Sequence, residues 1–193
     1  MKIAIRQVAG NWHRGLVLDK HSVSSTFIGH TESGRSKFDT IRTEVGEATY
    51  QLKYRGDWSK VQPLAQQLAD SIYPKFHEVG LIVPMPASNP RARQPVTEVA
   101  RALGKIVETP VFEALLLKTA NGKALKDLTT KDDKIAALAN SFSIQDEISG
   151  EGPWNVLLVD DLFHTGASAE AACAALASYR KIARIYFAAL TWR

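Results

Sequence analysis

The chain has 193 residues, 45% hydrophobic and 23% charged, with a formal net charge of +4. That size and balance suit a folded domain with a real apolar core and exclude wholesale disorder. The single cysteine, Cys173, excludes an internal disulfide and a cysteine-built zinc site, and the modest positive charge favours anionic ligands without choosing between phosphates and nucleic acid.

Residues 2–8, 15–18 and 22–28 have β-branched or alternating character and predict two or three strands of a small antiparallel unit. Residues 31–37 are polar and predict a loop. His13, His21 and His30 share no tight metal-binding spacing and read as solvated or hydrogen-bonded histidines. From Thr43 onward the pattern changes. Residues 44–54 predict a short helix stopped at Gly56, with Arg55-Gly56-Asp57 as a turn. Val61, Leu64, Ala65, Leu68, Ala69, Ile72 and Phe76 recur at helical spacing, with Ser59 as N-cap and Pro63 tolerated in the first turn.

Residues 81–85 predict a strand, 96–103 a helix stopped by Gly104, and 111–117 another strand. The lysine-rich stretch 118–134 lacks an apolar face and is expected to be mobile. Residues 142–144, 156–159 and 184–190 predict later strands, and 169–179 an alanine-rich helix in which Cys173 is a small buried apolar residue. Strands alternating with helices predict an α/β fold: a doubly wound, mainly parallel sheet over residues 43–193, with a small β-rich hood or extension over 1–42. The longest apolar run, 185–192, is too short to span a bilayer, and no secretory apolar stretch follows Met1-Lys2. A cytoplasmic protein without a membrane partner is expected.

The densest chemistry lies in Val156-Leu157-Leu158-Val159-Asp160-Asp161-Leu162-Phe163-His164-Thr165-Gly166-Ala167-Ser168. Four branched aliphatic residues predict a buried strand, and two carboxylates stand where it would end. A loop of small and hydroxyl residues then leads into the helix. Ligands of open α/β sheets bind at the carboxyl ends of strands, and the free N–H groups of a helix N-terminus attract phosphate. The combination points to a sugar phosphate. Asp160 and Asp161 would take vicinal hydroxyls, and backbone N–H groups with the Thr165 and Ser168 hydroxyls would take the phosphate.

This segment resembles the phosphoribosyl pyrophosphate (PRPP) signature of type I phosphoribosyltransferases, a hydrophobic strand followed by two acids and a Thr-Gly-x-Ser/Thr loop. The resemblance implies that His164, Thr165, Gly166, Ala167 and Ser168 cradle the 5′-phosphate. It also implies that Asp160 and Asp161 are catalytic and metal-binding carboxylates, with Mg²⁺ as cofactor. Residues 81–93 are similar to the pyrophosphate-binding loop of the same family, which implies that Ala87, Ser88, Arg91 and Arg93 hold pyrophosphate; the planar arginine fork grips phosphate oxygens in pairs.

Within that family the chain is most similar to the competence-protein-F (ComF-like) branch. There, a strand ending in Pro-x-Pro-x-Ser leads into arginines, as Pro84-Met85-Pro86-Ala87-Ser88 with Arg91 and Arg93 does here. Leu52-Lys53-Tyr54-Arg55-Gly56 is similar to a second element of the branch, and Asn140-Ser141-Phe142 to a third with shorter spacing. Gln94-Pro95-Val96 departs from the Arg-Gly-Phe-Asn-Gln that follows in the branch. The usual N-terminal cysteine zinc module is replaced by cysteine-free strands. Lys118, Lys123 and Lys126 stand in the flexible-loop region where arginine and glutamine are commoner.

The resemblance implies an enzyme that binds PRPP with Mg²⁺ and transfers the phosphoribosyl group to a nitrogen acceptor, releasing pyrophosphate. The identity of the acceptor is not legible. A second expectation is a PRPP- or nucleotide-binding protein without turnover in DNA uptake or repair, since fold does not settle function. It leaves room for nucleic acid, or competence and repair proteins, as partners, and for a homo-oligomer. His164 stands where the family often has Thr or Asp. A histidine there can shuttle a proton near neutral pH or donate to the phosphate, and both roles stay open at this point.

Overall fold

The computed structural model describes residues 1–89, 91–118 and 141–193. In chain order its elements are β1 (Arg6–Val8), β2 (Arg14–Lys20), β3 (Ser22–His30), β4 (Ser36–Arg42), α1 (Glu44–Arg55), α2 (Val61–Ser71), β5 (Val79–Pro84), α3 (Pro95–Ile106), β6 (Leu116–Lys118), β7 (Phe142–Ile144), β8 (Trp154–Phe163), α4 (Ala167–Ala177) and β9 (Ile182–Trp192). The central five-stranded sheet has the order β1-β2-β9-β8-β5. β2, β9, β8 and β5 are mutually parallel, and β1 alone runs antiparallel, against β2.

Both faces of the sheet are covered, and this explains the aliphatic run of β8. Leu157 and Val159 point into a core shared with Leu52 of α1, Leu64 and Leu68 of α2, and Leu103 of α3. Val156 and Leu158 point into a second core with Phe187 and with Ala172, Cys173 and Leu176 of α4. A strand buried on both sides carries no polar alternation, and each such side chain contributes on the order of 1.5–3 kcal/mol through burial. The α/β, doubly wound expectation therefore holds. Among the described residues no helix is long and apolar enough to cross a membrane.

Local signals set several boundaries. Thr43 caps α1 by accepting from the Gly46 amide at 2.9 Å, and Gly56 ends the helix in the left-handed region at φ 66°. Ser59 does not cap α2. Asp57 accepts from the Ser59 amide at 3.1 Å and opens a 3-10 turn, Trp58–Lys60, that leads into α2. Gly104 does not stop α3, which runs on to Ile106. Its missing side chain instead admits Val111, since a Cβ there would lie 2.4 Å from Val111 Cγ2 and 2.7 Å from the Thr109 carbonyl oxygen.

The N-terminal strands divide differently from the expected antiparallel unit. Leu16, Val17 and Leu18 of β2 are at most 3% exposed, so that strand belongs inside the central sheet, parallel to β9. Only β3 and β4 form a separate antiparallel ribbon, and β4 begins within the stretch expected to be a loop. The expected strand at 111–117 is reduced to a single bridge, Val111 with Ile82, followed by β6 pairing antiparallel with β7. The lysine-rich stretch expected to be mobile lies, apart from Lys118, outside the described residues.

Candidate functional site

β8 is longer than its apolar run. Asp160 pairs across from Ala189, and Leu162 and Phe163 continue the ladder against Thr191 and Trp192. The two acids therefore lie among the last residues of the strand, not beyond its end, and sheet pairing holds their backbone. The Asp160 carboxylate accepts from the Asp161 amide at 2.8 Å. Behind Asp161, Thr191 Oγ1 donates to its carbonyl at 3.0 Å, and His21 Nδ1 lies 3.2 Å from the same hydroxyl. With the threonine proton committed to the carbonyl, His21 Nδ1–H is the donor to Thr191. That buried chain fixes the backbone on which the acid pair stands.

β5 lies beside β8, and its exit delivers a second loop to the same place. Met85 donates from its amide to the Val159 carbonyl at 2.8 Å, so the segment after Pro84 leaves along the acid pair. Gln94 closes the base of this loop onto the Asn89 carbonyl at 3.0 Å. A cavity of about 290 Å³ results, lined by Ala87, Ser88, Arg91, Asp160, Asp161 and Ser168, together with Lys53 and Lys118. Ser168 is in the first turn of α4, which Gly166 opens at φ 82°; a glycine serves there because other side chains avoid that region.

The structure thus brings together the acid pair, Ser168 and three of the four expected pyrophosphate residues. Arg93 is turned away: it pairs with Glu98 at 2.9 Å and stacks 4.2 Å over the Trp58 ring. Arg91 lines the cavity while donating to the Lys53 carbonyl at 2.8 Å. His164 and Thr165 are exposed on the loop between β8 and α4 and, with Gly166 and Ala167, do not line the cavity.

Two lysines complete the site. Lys53, from the last turn of α1, forms an ion pair with Asp161 at 2.5 Å. Lys118, which also lines the cavity, donates to Ser88 Oγ at 2.8 Å. The only trace of Lys53 in the sequence was its place in the Leu52–Gly56 resemblance, because its partner lies far along the chain. Lys118 is marked in the sequence only by its place in the flexible-loop region of the resemblance, which says nothing of Ser88 as its partner.

The electrostatics follow from crowding. Burial, and then the adjacent Asp161 carboxylate, push Asp160 up to about 7 against the pull of Lys53 and Lys118. Burial alone would lower Lys53, but the Asp161 charge and hydrogen bond outweigh it and hold the ammonium more firmly protonated. Lys118 is lowered by burial, which Asp160 partly opposes. Carboxylates facing cations across a small cavity can receive a polyanionic ligand that also carries hydroxyl groups. Among the described residues no group of three or more His, Cys, Asp and Glu side chains gathers as a closed metal cage.

No family model and no curated protein matches the sequence. Among solved structures the chain is similar to the adenine phosphoribosyltransferase of Leishmania donovani, at 14% identity over 98% of this chain and 86% of that one, with a TM-score of 0.44. It is similar to the enzyme of the same description from Saccharomyces cerevisiae, at 16% identity over 87% and 85%, with a TM-score of 0.44. A third likeness is to that of Thermoanaerobacter pseudethanolicus, at 15% identity over 88% and 95%, with a TM-score of 0.45. These structural neighbours are phosphoribosyltransferases.

Proposed function

We propose that the protein binds PRPP with Mg²⁺ and transfers its phosphoribosyl group to a nitrogen acceptor, in the manner of the ComF-like branch, in the cytoplasm. The observation that carries this reading is the acid pair facing Ala87, Ser88 and Arg91 across one cavity, with Ser168 at the head of α4. Asp160 and Asp161 take the ribose hydroxyls, residues 164–168 the 5′-phosphate, and Ala87, Ser88 and Arg91 the pyrophosphate. Arg93 joins them only by leaving Glu98.

The donor set fits a magnesium ion. Asp160 and Asp161 both line the cavity, and burial and mutual repulsion hold a proton on Asp160 to about pH 7, which a bound cation would displace. Mg²⁺ is commonly held through one or two carboxylates with the remaining oxygens from phosphate and water. Asp160 and Asp161 would hold it, and when bound it supplies charge that stabilises the departing pyrophosphate. In the transfer the bond from ribose C1 to the pyrophosphate oxygen breaks with its electron pair leaving on pyrophosphate, a bond from C1 to the acceptor nitrogen forms, and the proton of that nitrogen passes to water. The carboxylate nearest the ring stabilises the positive charge that develops on the sugar. His164, outside the cavity, serves as a donor to the 5′-phosphate.

A second reading, a PRPP- or nucleotide-binding protein without turnover in DNA uptake or repair, draws on a separate observation: Lys53, Lys118 and Arg93 are all engaged by the protein's own side chains. The test is PRPP-dependent pyrophosphate release, screened with nucleobases, glutamine and ammonia. Release with any acceptor supports transfer, and magnesium-dependent PRPP binding without release supports the second reading. Calorimetry showing unchanged PRPP affinity after Asp160→Asn and Asp161→Asn together would sink both.

A further inference from the structure

We propose that Lys53 is a positioning residue that changes partner when a phosphate-bearing ligand enters. Its ammonium leaves Asp161 for pyrophosphate oxygens and so frees the carboxylate to meet the rest of the ligand. The inference rests on the PRPP reading above and adds to it the residue that couples the acid pair to the pyrophosphate loop.

The geometry points to exchange because Lys53 touches both halves of the site. Its side chain reaches Asp161 at 2.5 Å, while its backbone carbonyl anchors Arg91 at 2.8 Å. Both side chains of the ion pair have already lost most of their hydration, at 31% exposure for Lys53 and 13% for Asp161. An entering anion therefore exchanges one anionic partner for another, without first stripping water from a free ammonium. Lysine suits a contact that moves, being a point charge with three donors on a flexible stem, whereas the arginine fork suits a fixed one.

The surroundings decide which member of the pair moves. Asp161 is held by strand pairing on either side, and its carbonyl is held by Thr191, which His21 backs. Lys53 has only its own stem to reposition. Arg91 is tied to a backbone carbonyl and Lys118 to Ser88, so Lys53 is the cavity cation whose partner is a ligand-binding carboxylate.

Inorganic pyrophosphate in metal-free buffer is the probe. It is titrated calorimetrically into the wild type, Lys53→Met, Asp161→Asn and the double variant, each checked by thermal unfolding. Lys53→Met should bind roughly tenfold to a hundredfold more weakly, as expected for the loss of a charge-assisted contact. Asp161→Asn should bind more tightly than wild type, because the ammonium is already released. That gain should shrink or vanish in the Lys53→Met background, where no ammonium remains to release. Simple removal of a like charge predicts the reverse, since Asp161 is less shielded without Lys53.

Equal affinity in wild type and Lys53→Met overturns the proposal and leaves the PRPP reading standing. So does an Asp161→Asn gain at least as large in the Lys53→Met background. Failure of the wild type to bind either pyrophosphate or PRPP overturns both. If Lys53→Met unfolds, Lys53→Gln makes the same comparison.

Discussion

Replacing Asp160 by Asn should stabilise the metal-free protein at pH 8 and leave its stability near pH 4 unchanged. Burial and the Asp161 carboxylate move Asp160 from 3.8 up to about 7, with Lys53 and Lys118 opposing. A raised carboxyl pKa means the folded state keeps its proton through a window in which the unfolded chain has released it. The stability lost therefore grows as pH climbs from about 4 to about 7 and is complete above that. At about 1.36 kcal/mol per pH unit the displacement sets a ceiling of ~4 kcal/mol, and relaxation of the pair brings the expected gain to ~2–4 kcal/mol. Asparagine keeps the shape of the neutral acid and the oxygen that accepts from the Asp161 amide.

His21 makes the outcome more specific, because its sign is opposite. Burial, with Arg193, Arg42 and Lys53 nearby and Asp161 opposing, holds it down at about 4. The unfolded chain protonates below about pH 6.5 while the folded imidazole stays neutral, so stability is lost as pH falls towards about 4. In the wild type the two slopes offset. In Asp160→Asn the histidine slope is uncovered, and up to ~3 kcal/mol should be lost between pH 6.5 and 4. Urea unfolding in the presence of a chelator, from pH 4 to pH 8, measures both. An equal gain at the two ends of the range, or a loss at pH 8, refutes the reasoning.

Three other outcomes are expected. Gly46→Ala should cost about 2 kcal/mol or more in thermal unfolding, despite alanine's helix advantage, because the new Cβ would lie 1.9 Å from the His21 carbonyl oxygen; a neutral result contradicts that close approach. Cys173, buried and with its thiol pushed up to about 12, should resist alkylation at pH 8 until denaturant is added, and rapid modification of the folded protein, read by mass, contradicts its burial. His164→Asn should weaken PRPP binding a few-fold and leave the pH dependence of turnover intact, whereas lost turnover with unchanged affinity would assign the proton-transfer role instead.

What short-range forces decide can be read from the residues alone. The glycine stop at Gly56, the amphipathic stripe of α2 and the doubly buried run of β8 are local consequences of backbone freedom, helical spacing and burial, legible without neighbours. The candidate acids and the small-residue loop were legible for the same reason, since strand, carboxylates and helix start follow one another directly. Where two local readings competed, tertiary contact chose. Gly104 looked like a stop but is a point of close approach for Val111, and residues 15–18 looked like part of a separate unit but lie beside β9. Only the fold brought Lys53 to Asp161, divided Arg91 from Arg93, and crowded Asp160 enough to hold its proton. The Lys53–Asp161 ion pair and the burial that raises Asp160 depend on which distant segments share a low-dielectric space, and no window of neighbouring residues contains that information.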